Sequence, residues 1–338
     1  MRIGVPKEVY PLERRVMMLP EAVRCLTEAE HQVFVQSEAG VGVGVFDIDY
    51  TRAGAEVIAD VEALYDIADL VVKLKAPSET EFSLMHRDRI LFSMFHSAQN
   101  PVHVYHAGKQ GLTVVEMESI RDTKKRRMID QTDITGQAGV YYALRHSLKM
   151  PNEMRAVVLG YGSVSSGAID ACAKLGMKVT IIRREDFPYI SEHLRDADLL
   201  VNGISWPKEC RDEKRYLVTR EDVRNAAHGM VVLDLSVDFP NPVETVRPTT
   251  YAQPYYLDEG HVHVSIYGYP GLVPITSSRI YSQQVTPLTL LIANNGGLEG
   301  IEERGDMGKA IQRAIIDPTK LGWERYRSES VSNGSRIE

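Results

Sequence analysis

The sequence predicts an α/β protein of two domains, each built on a parallel sheet, with an inter-domain cleft, and three observations carry that prediction. Apolar strand-like runs alternate with helical patterns through residues 1–118. A strand, a glycine turn, a helix and a second strand occupy Ala156–Glu185. A further series of apolar runs follows at Asp198–Val201, Met230–Leu235 and His263–Ile266. Strands that alternate with helices imply parallel sheets covered on both faces.

In chain order, strands are expected at Arg2–Val5, Gln32–Val35, Leu70–Leu74, Ile90–Phe95 and Leu112–Val115, with helices over Glu21–Glu30 and Val61–Ala68. Pro20 suits the first turn of the first helix, where no backbone donor is needed. Thr132–Lys149 reads as one long helix that starts at a Thr/Asp cap and leads into the glycine unit. From about residue 280, QQVTPLTLLIANNG forms another helix closed by Asn and Gly. The tail from Arg325 is polar and is expected to fray. The domains are placed at 1–128, completed by helices within 300–338, and at 129–299.

A chain of 338 residues is long enough for two domains with sizeable cores. A net charge of −7 argues against a nucleic-acid footprint, and the basic run Lys124–Arg127 reads as a solvated edge. Cys25, Cys172 and Cys210 are scattered without metal-ligand spacing, so no metal is expected and a reducing, cytoplasmic home is. No apolar run is long enough for a membrane span.

The glycine unit carries the first functional signal. Gly160 allows a tight turn off a buried strand, and Gly162 lets backbone approach a pyrophosphate lying at the positive end of the following helix. The turn Gly160-Tyr161-Gly162-Ser163-Val164 is therefore expected to be a dinucleotide cradle of the Rossmann type, against the alternative of a plain strand–turn–helix with no ligand; Ser165 stands where a third glycine is usual and Gly167 comes two residues later. Sites for NAD carry an acid at the end of the second strand, about 20 residues on. Here VTII ends in Arg183 and Arg184, whose planar donor forks suit a 2′-phosphate, so NADP(H) is expected over NAD(H). Asn202 and Gly203, ending DLLVNG, are candidates for passing the adenosine side.

In the first domain Arg15 follows the first strand, Lys75 ends VVKLK, His96 ends ILFSMFH and Glu118 closes the next strand. Carboxyl ends of strands in an open α/β sheet face the ligand crevice. Arg15 suits clamping a carboxylate, or is a surface charge beside Arg14. Lys75 suits polarising a 2-oxo or imine centre, and His96 exchanging a proton near neutral pH, against the alternative of a core histidine. Asp234 and Asp238 flank a later strand end. Asp238 suits steadying a cationic nitrogen, or is a turn residue before Pro240. Tyr267 and Tyr269 either line a substrate pocket or pack.

Taken in order, MRIGVPKE, ERRVMMLPEAV, VVKLKAP, the histidine of ILFSMFH, LGYGSV, ETVRPTT and YPGLVP resemble the alanine dehydrogenase superfamily. That group also contains the first domain of proton-translocating transhydrogenase, lysine-forming saccharopine dehydrogenases and N5-(carboxyethyl)ornithine synthase. The resemblance runs to about residue 300. It implies that Arg15 and Lys75 hold the substrate carboxylate and carbonyl, that His96 is the proton donor and Asp238 its acidic partner, and that Thr132 contacts the cofactor phosphates. Alanine dehydrogenase carries an aspartate where this chain has Arg183, and its Asn-Met-Pro-Gly loop is Gly268-Tyr269-Pro270-Gly271 here. The ERRV opening, the arginine ending the second strand and the Asn-Gly-Ile phrase look like N5-(carboxyethyl)ornithine synthase. The resemblance thus implies an NADP(H)-dependent oxidoreductase acting on a C–N bond, condensing a pyruvate-like oxo acid with the amine of an amino acid in a homo-oligomer. The alternatives are alanine-type reductive amination with ammonia and a non-catalytic dinucleotide module of the transhydrogenase kind.

Overall fold

The structure, a computed structural model, describes residues 1–326. The chain divides into two compact units: one takes residues 1–130 and the described chain from 274 onward, the other 131–273.

The first unit runs β1 (Arg2–Val5), α1 (Pro20–Glu28), β2 (Gln32–Gln36), α2 (Asp47–Arg52), β3 (Glu56–Ile58), α3 (Val61–Ile67), β4 (Leu70–Lys75), α4 (Glu79–Leu84), β5 (Ile90–Met94), α5 (Pro101–Gln110) and β6 (Thr113–Glu116). The second unit runs α6 (Thr132–Ala143), β7 (Arg155–Leu159), α7 (Ser163–Lys174), β8 (Lys178–Ile182), α8 (Ile190–Leu194), β9 (Leu199–Asn202), α9 (Lys208–Asp212), α10 (Arg220–Arg224), β10 (Val231–Asp234), β11 (Tyr256–Asp258) and β12 (His261–Val264). The chain then returns to the first unit as α11 (Pro274–Asn294), α12 (Gly305–Arg313) and β13 (Ile315–Ile316).

The first sheet has the order β13-β6-β5-β4-β1-β2-β3 and the second β11-β12-β10-β9-β7-β8. Both are parallel except for one antiparallel edge strand each, β13 on β6 and β11 on β12. In both sheets the opening strand is interior, and chain order reverses beside it, at β1/β4 and at β7/β9. Such a reversal opens a crevice at the strands' carboxyl ends. Alternating residues bury against opposite helical layers: Ala156 and Val158 of β7 enter one cluster, Val157 and Leu159 the other. Each fully buried Val or Leu contributes about 1.5–3 kcal/mol of apolar burial, which fixes the register.

Three expectations shift. The helix placed over Thr132–Lys149 stops at Ala143 and ends in a 3₁₀ turn, Leu144–His146. The Ser147 hydroxyl then donates to the Lys149 carbonyl and accepts the Lys149 N–H, a local closure that competes with further helix. The strand placed at His263–Ile266 begins at His261, because His261 and His263 are buried with their ring nitrogens bonded to the Met230 carbonyl and the Thr245 hydroxyl. The helix placed from about 280 starts at Pro274 and packs in the first unit, where the sequence reading carried the second domain to 299. Its polar first half is buried: Ser278 and Ser282 accept the backbone N–H groups of Val16 and Leu19. Most of the expected polar tail from Arg325 lies outside the described residues.

Candidate active site

Four of the sequence candidates lie at the carboxyl ends of the first sheet. Arg15 is in the segment after β1, Lys75 ends β4, His96 follows β5 and Glu118 follows β6. The Arg15 guanidinium is 3% exposed, so it is not a surface charge. Its Nε donates to Oε1 of Glu13 at 2.7 Å and its Nη2 to Oε2 at 2.5 Å. Burial works to raise Glu13, but the Arg15 hydrogen bonds overcome it and leave the carboxyl below its ordinary range. On the other edge Nη1 donates to the Ser277 hydroxyl at 3.4 Å, and the Tyr281 ring centre lies 6.0 Å from the guanidinium carbon. One edge of Arg15 is thus committed to Glu13 and the other faces Ser277 and Tyr281.

The Lys75 ammonium lies 5.2 Å from the centre of the Tyr10 ring. Burial, and then the positive charge of Arg15, bring Lys75 down to about 8, against the opposing pull of Glu13 and Glu8. An amine held there exchanges its proton close to working pH.

His96 has left-handed backbone, φ 52°, a conformation that carries a cost for any residue with a side chain. Two carboxylates hold the turn. Glu118 accepts the N–H of Phe95 and of His96, and Glu116 accepts the N–H of Ser97 at 2.8 Å. Nδ1 of His96 is 3.5 Å from Oε1 of Glu118. Burial, then the charges of Lys75 and Arg127, push His96 down to about 4, so the imidazole is neutral at pH 7. Burial and the neighbouring Glu116 push Glu118 up to about 7. The sequence reading expected His96 to titrate near neutrality; its desolvated setting between two cations moves it below that range.

In the second unit Gly160 has φ 82°, and Gly162 caps α7 with ordinary φ of −85°. A Cβ on Gly160 would meet Ile204 at 2.9 Å, whereas one on Gly162 would meet nothing within 4 Å. The fold requires glycine at 160 and not at 162. An open, side-chain-free approach to the N-terminus of a 12-residue helix fits a pyrophosphate, with Ser163 exposed and Val164 half-buried behind it. The place of the third glycine is resolved by packing: Ser165 is buried against Gly203, where a Cβ would lie 2.1 Å from the serine hydroxyl, and Gly167 lets α6 touch α7 at the Asp133 carbonyl. Thr132 is half-buried as the first residue of α6. Arg183 and Arg184 are exposed just past β8, and neither forms an ion pair among the described residues. Asp186 is spent accepting the Arg183 N–H at 2.8 Å.

Asn202 ends β9 and Gly203 follows it, partly buried. Asn202 is fully buried; its amide donates to Asp234 at 2.7 Å and its carbonyl accepts the Ile204 N–H. Asp234 is the organiser here, also accepting from the Ser236 and Ser265 hydroxyls and the Val237 N–H. Both Asn202 and Gly203 thus shape the loops from within. Asp238 accepts the Trp206 N–H at 2.9 Å and lies 3.7 Å from Arg211. Tyr269 packs: it is 1% exposed and donates to the Asp234 carbonyl at 2.6 Å. Tyr267 is exposed.

Glu13, Glu116, Ser277, Tyr10 and Tyr281 escaped the sequence reading. The ERR triplet is the one signal that could have paired Glu13 with Arg15. Among the described residues no group of three or more His, Cys, Asp or Glu could hold a metal, and no helix is long and apolar enough to cross a membrane.

A glycine cradle in one unit and a cluster of cationic and protonatable groups in the other define a dinucleotide-dependent α/β enzyme. The family description "Alanine dehydrogenase/PNT, N-terminal domain" matches residues 4–133, and "Alanine dehydrogenase/PNT, C-terminal domain" matches 184–313. Alanine dehydrogenase 1 of Staphylococcus aureus is 29% identical, over 92% of this chain and 92% of that one. A solved L-alanine dehydrogenase superposes with a TM-score of 0.83 at 28% identity, over 96% of this chain and 99% of that one. A transhydrogenase from Sinorhizobium meliloti shares the fold, with a TM-score of 0.76 at 22% identity over 87% of this chain and 94% of that one. The chain belongs to the alanine dehydrogenase superfamily. It is an oxidoreductase acting on CH–NH or CH–NH2 donors with a nicotinamide dinucleotide.

Proposed function

We propose that this protein catalyses alanine dehydrogenase-type chemistry: reductive amination of a small 2-oxo acid, pyruvate in the simplest case, and its reversal. The observation that carries the reading is the grouping of Arg15, Lys75 and His96 at the carboxyl ends of one sheet, where their charges act on one another. Lys75 and Arg15 hold the oxo acid. Its bound carboxylate offsets the Lys75 charge, one of the causes that depress His96, and so raises the imidazole's affinity for a proton. His96, oriented by Glu118, then moves that proton; the role of Asp238 as the acid that steadies the nitrogen rests on the resemblance. When bound, the nicotinamide dinucleotide supplies or takes up the hydride; Gly160, Gly162, Ser163, Val164 and Thr132 would hold it.

NADP(H) is the proposed form. Arg183 and Arg184 support it, being exposed where the 2′-position is expected and free of carboxylate partners among the described residues. Titration with NADPH and NADH side by side decides between this form and NAD(H). A second reading, condensation with an amino-acid amine in the manner of N5-(carboxyethyl)ornithine synthase, is favoured by one observation. Gly268 has φ 96° and carries no side chain where the resembling loop has an asparagine, so the amide that loop presents is missing here. A homo-oligomer and a cytoplasmic home belong to the same proposal, the latter supported by three free cysteines. Oxidation of NADPH and NADH with pyruvate plus ammonia, ornithine or lysine tests the whole. Turnover with ammonia alone favours the first reading; turnover only with an amino acid overturns it.

A further inference from the structure

Beneath the site the first unit buries a second set of charges that binds no substrate in the scheme above. Lys73 is 1% exposed. Its ammonium donates to Oε1 and Oε2 of Glu81 at 2.8 and 3.0 Å and lies 3.7 Å from Oε2 of Glu8. The Tyr65 phenol donates to Glu81 at 2.7 Å. Glu8 in turn faces the backbone of β4: Oε1 accepts the Leu74 N–H at 2.6 Å and Oε2 the Lys75 N–H at 3.3 Å. This occurs just where ordinary pairing fails. β1 pairs with β4 only at Ile3↔Leu70 and Gly4↔Val71, and the β4/β5 register slips between Val72 and Lys75. A carboxylate thus replaces the missing strand as partner for the last two N–H groups of β4.

We propose that Glu8 is the positioning residue for Lys75, fixing the end of β4 through its backbone and supplying the negative charge that keeps the Lys75 ammonium protonated. The inference rests on the reading of Lys75 as the group that holds the oxo acid. Lys73 is the cation facing Glu8, 3.7 Å from its Oε2. Burial leaves Glu8 above its ordinary range, and the Lys73 charge and the Leu74 N–H offset that rise only in part. The groups facing Lys75 include Arg15, Glu13, Glu8, the Tyr10 ring and His96; those facing Glu8 include Lys73, Lys75, Glu13, Glu81 and Tyr65. Glutamine at position 8 keeps one acceptor, removes the charge and turns an amide donor toward another donor, so both functions suffer.

The test reads Lys75 directly in the full chain, without substrate or cofactor. Competitive acetylation with acetic anhydride across pH, followed by mass spectrometry of the Lys75 peptide, gives its titration midpoint. The midpoint in the unmodified protein is expected near 8. Glu8→Gln is expected to lower it, because an opposing negative charge is lost. Lys73 stays paired with Glu81 in that variant, so the interior keeps a balanced ion pair and the chain is expected to fold. Glu8→Asp keeps the charge and shortens the reach, so its midpoint stays near the starting value. In turnover, Glu8→Gln and Glu8→Asp both raise KM for the oxo acid about tenfold with little change in kcat. An unmoved midpoint in Glu8→Gln, or an unchanged KM, overturns the proposal. Absence of turnover in the unmodified protein overturns the functional reading instead, and the titration still decides this one.

Discussion

Nδ1 of His96 lies 3.5 Å from Oε1 of Glu118, and the same carboxylate accepts the His96 backbone N–H. One side chain therefore fixes both the left-handed backbone of the histidine and the direction its ring faces. Removing Glu118 releases a strained turn as well as a ring partner, so the two functions cannot be separated by a single deletion.

The pH dependence follows from two groups. Lys75, at about 8, must be charged to hold the oxo acid, so kcat/KM for that substrate falls as pH rises through about 8. His96, at about 4, adds no step near its ordinary value in the free protein. His96→Ala is expected to lower kcat by roughly 10²–10⁴-fold while keeping the fall near pH 8 and the dinucleotide affinity. An unchanged kcat would remove the histidine from the reaction.

The two glycines of the turn are expected to separate folding from binding. Gly160→Ala places a side chain at φ 82° and against Ile204, and should cost about 1 kcal/mol or more in urea unfolding. Gly162→Ala meets no protein atom, so unfolding stays within about 0.5 kcal/mol while dinucleotide affinity falls. Equal dinucleotide affinity after Gly162→Ala would show that no phosphate comes close to that position.

Arg183→Ala and Arg184→Ala address cofactor choice. Loss of a guanidinium on a 2′-phosphate is expected to weaken NADPH about tenfold or more and leave NADH nearly unaffected. Fluorescence titration with both forms reads this directly. Parallel losses for the two cofactors would assign the arginines to something other than the 2′-position.

Glu13→Ala leaves the buried Arg15 guanidinium without its bidentate partner, which typically costs about 3–5 kcal/mol. The contribution has a definite sign with pH. Glu13 is lower in the folded chain than when unfolded, so its stabilisation is present above the ordinary carboxylate range and is lost as pH falls through the depressed folded value. Chemical unfolding of both proteins between neutral and acid pH checks size and sign together.

The sheets were legible wherever strands are long and apolar, as at β1, β4, β7 and β10, because buried parallel strands leave unbroken hydrophobic runs. Gly160 and Gly162 were legible because a turn between strand and helix has its own residue code. The edge strands β3, β11 and β13 are too short to show a period. The buried pairs were hidden for another reason. Lys73 with Glu81, and Glu118 with His96, join residues from different elements, and a charged side chain in sequence reads as solvent-facing until its partner is known. The return of α11 was hidden likewise, since its buried serines carry no apolar signature.

That return has a consequence for how the molecule is made. The chain leaves the first unit after residue 130 and re-enters at 274. Val16 and Leu19 wait for hydroxyls on Ser278 and Ser282, and Arg15 waits for Ser277. On a ribosome the inserted unit is contiguous and can close its core as it emerges, while its host stays unfinished until α11 has been synthesised. A nascent chain that has released residues 131–273 but not yet α11 would then carry a closed second unit on a half-built host whose apolar face is open to chaperones.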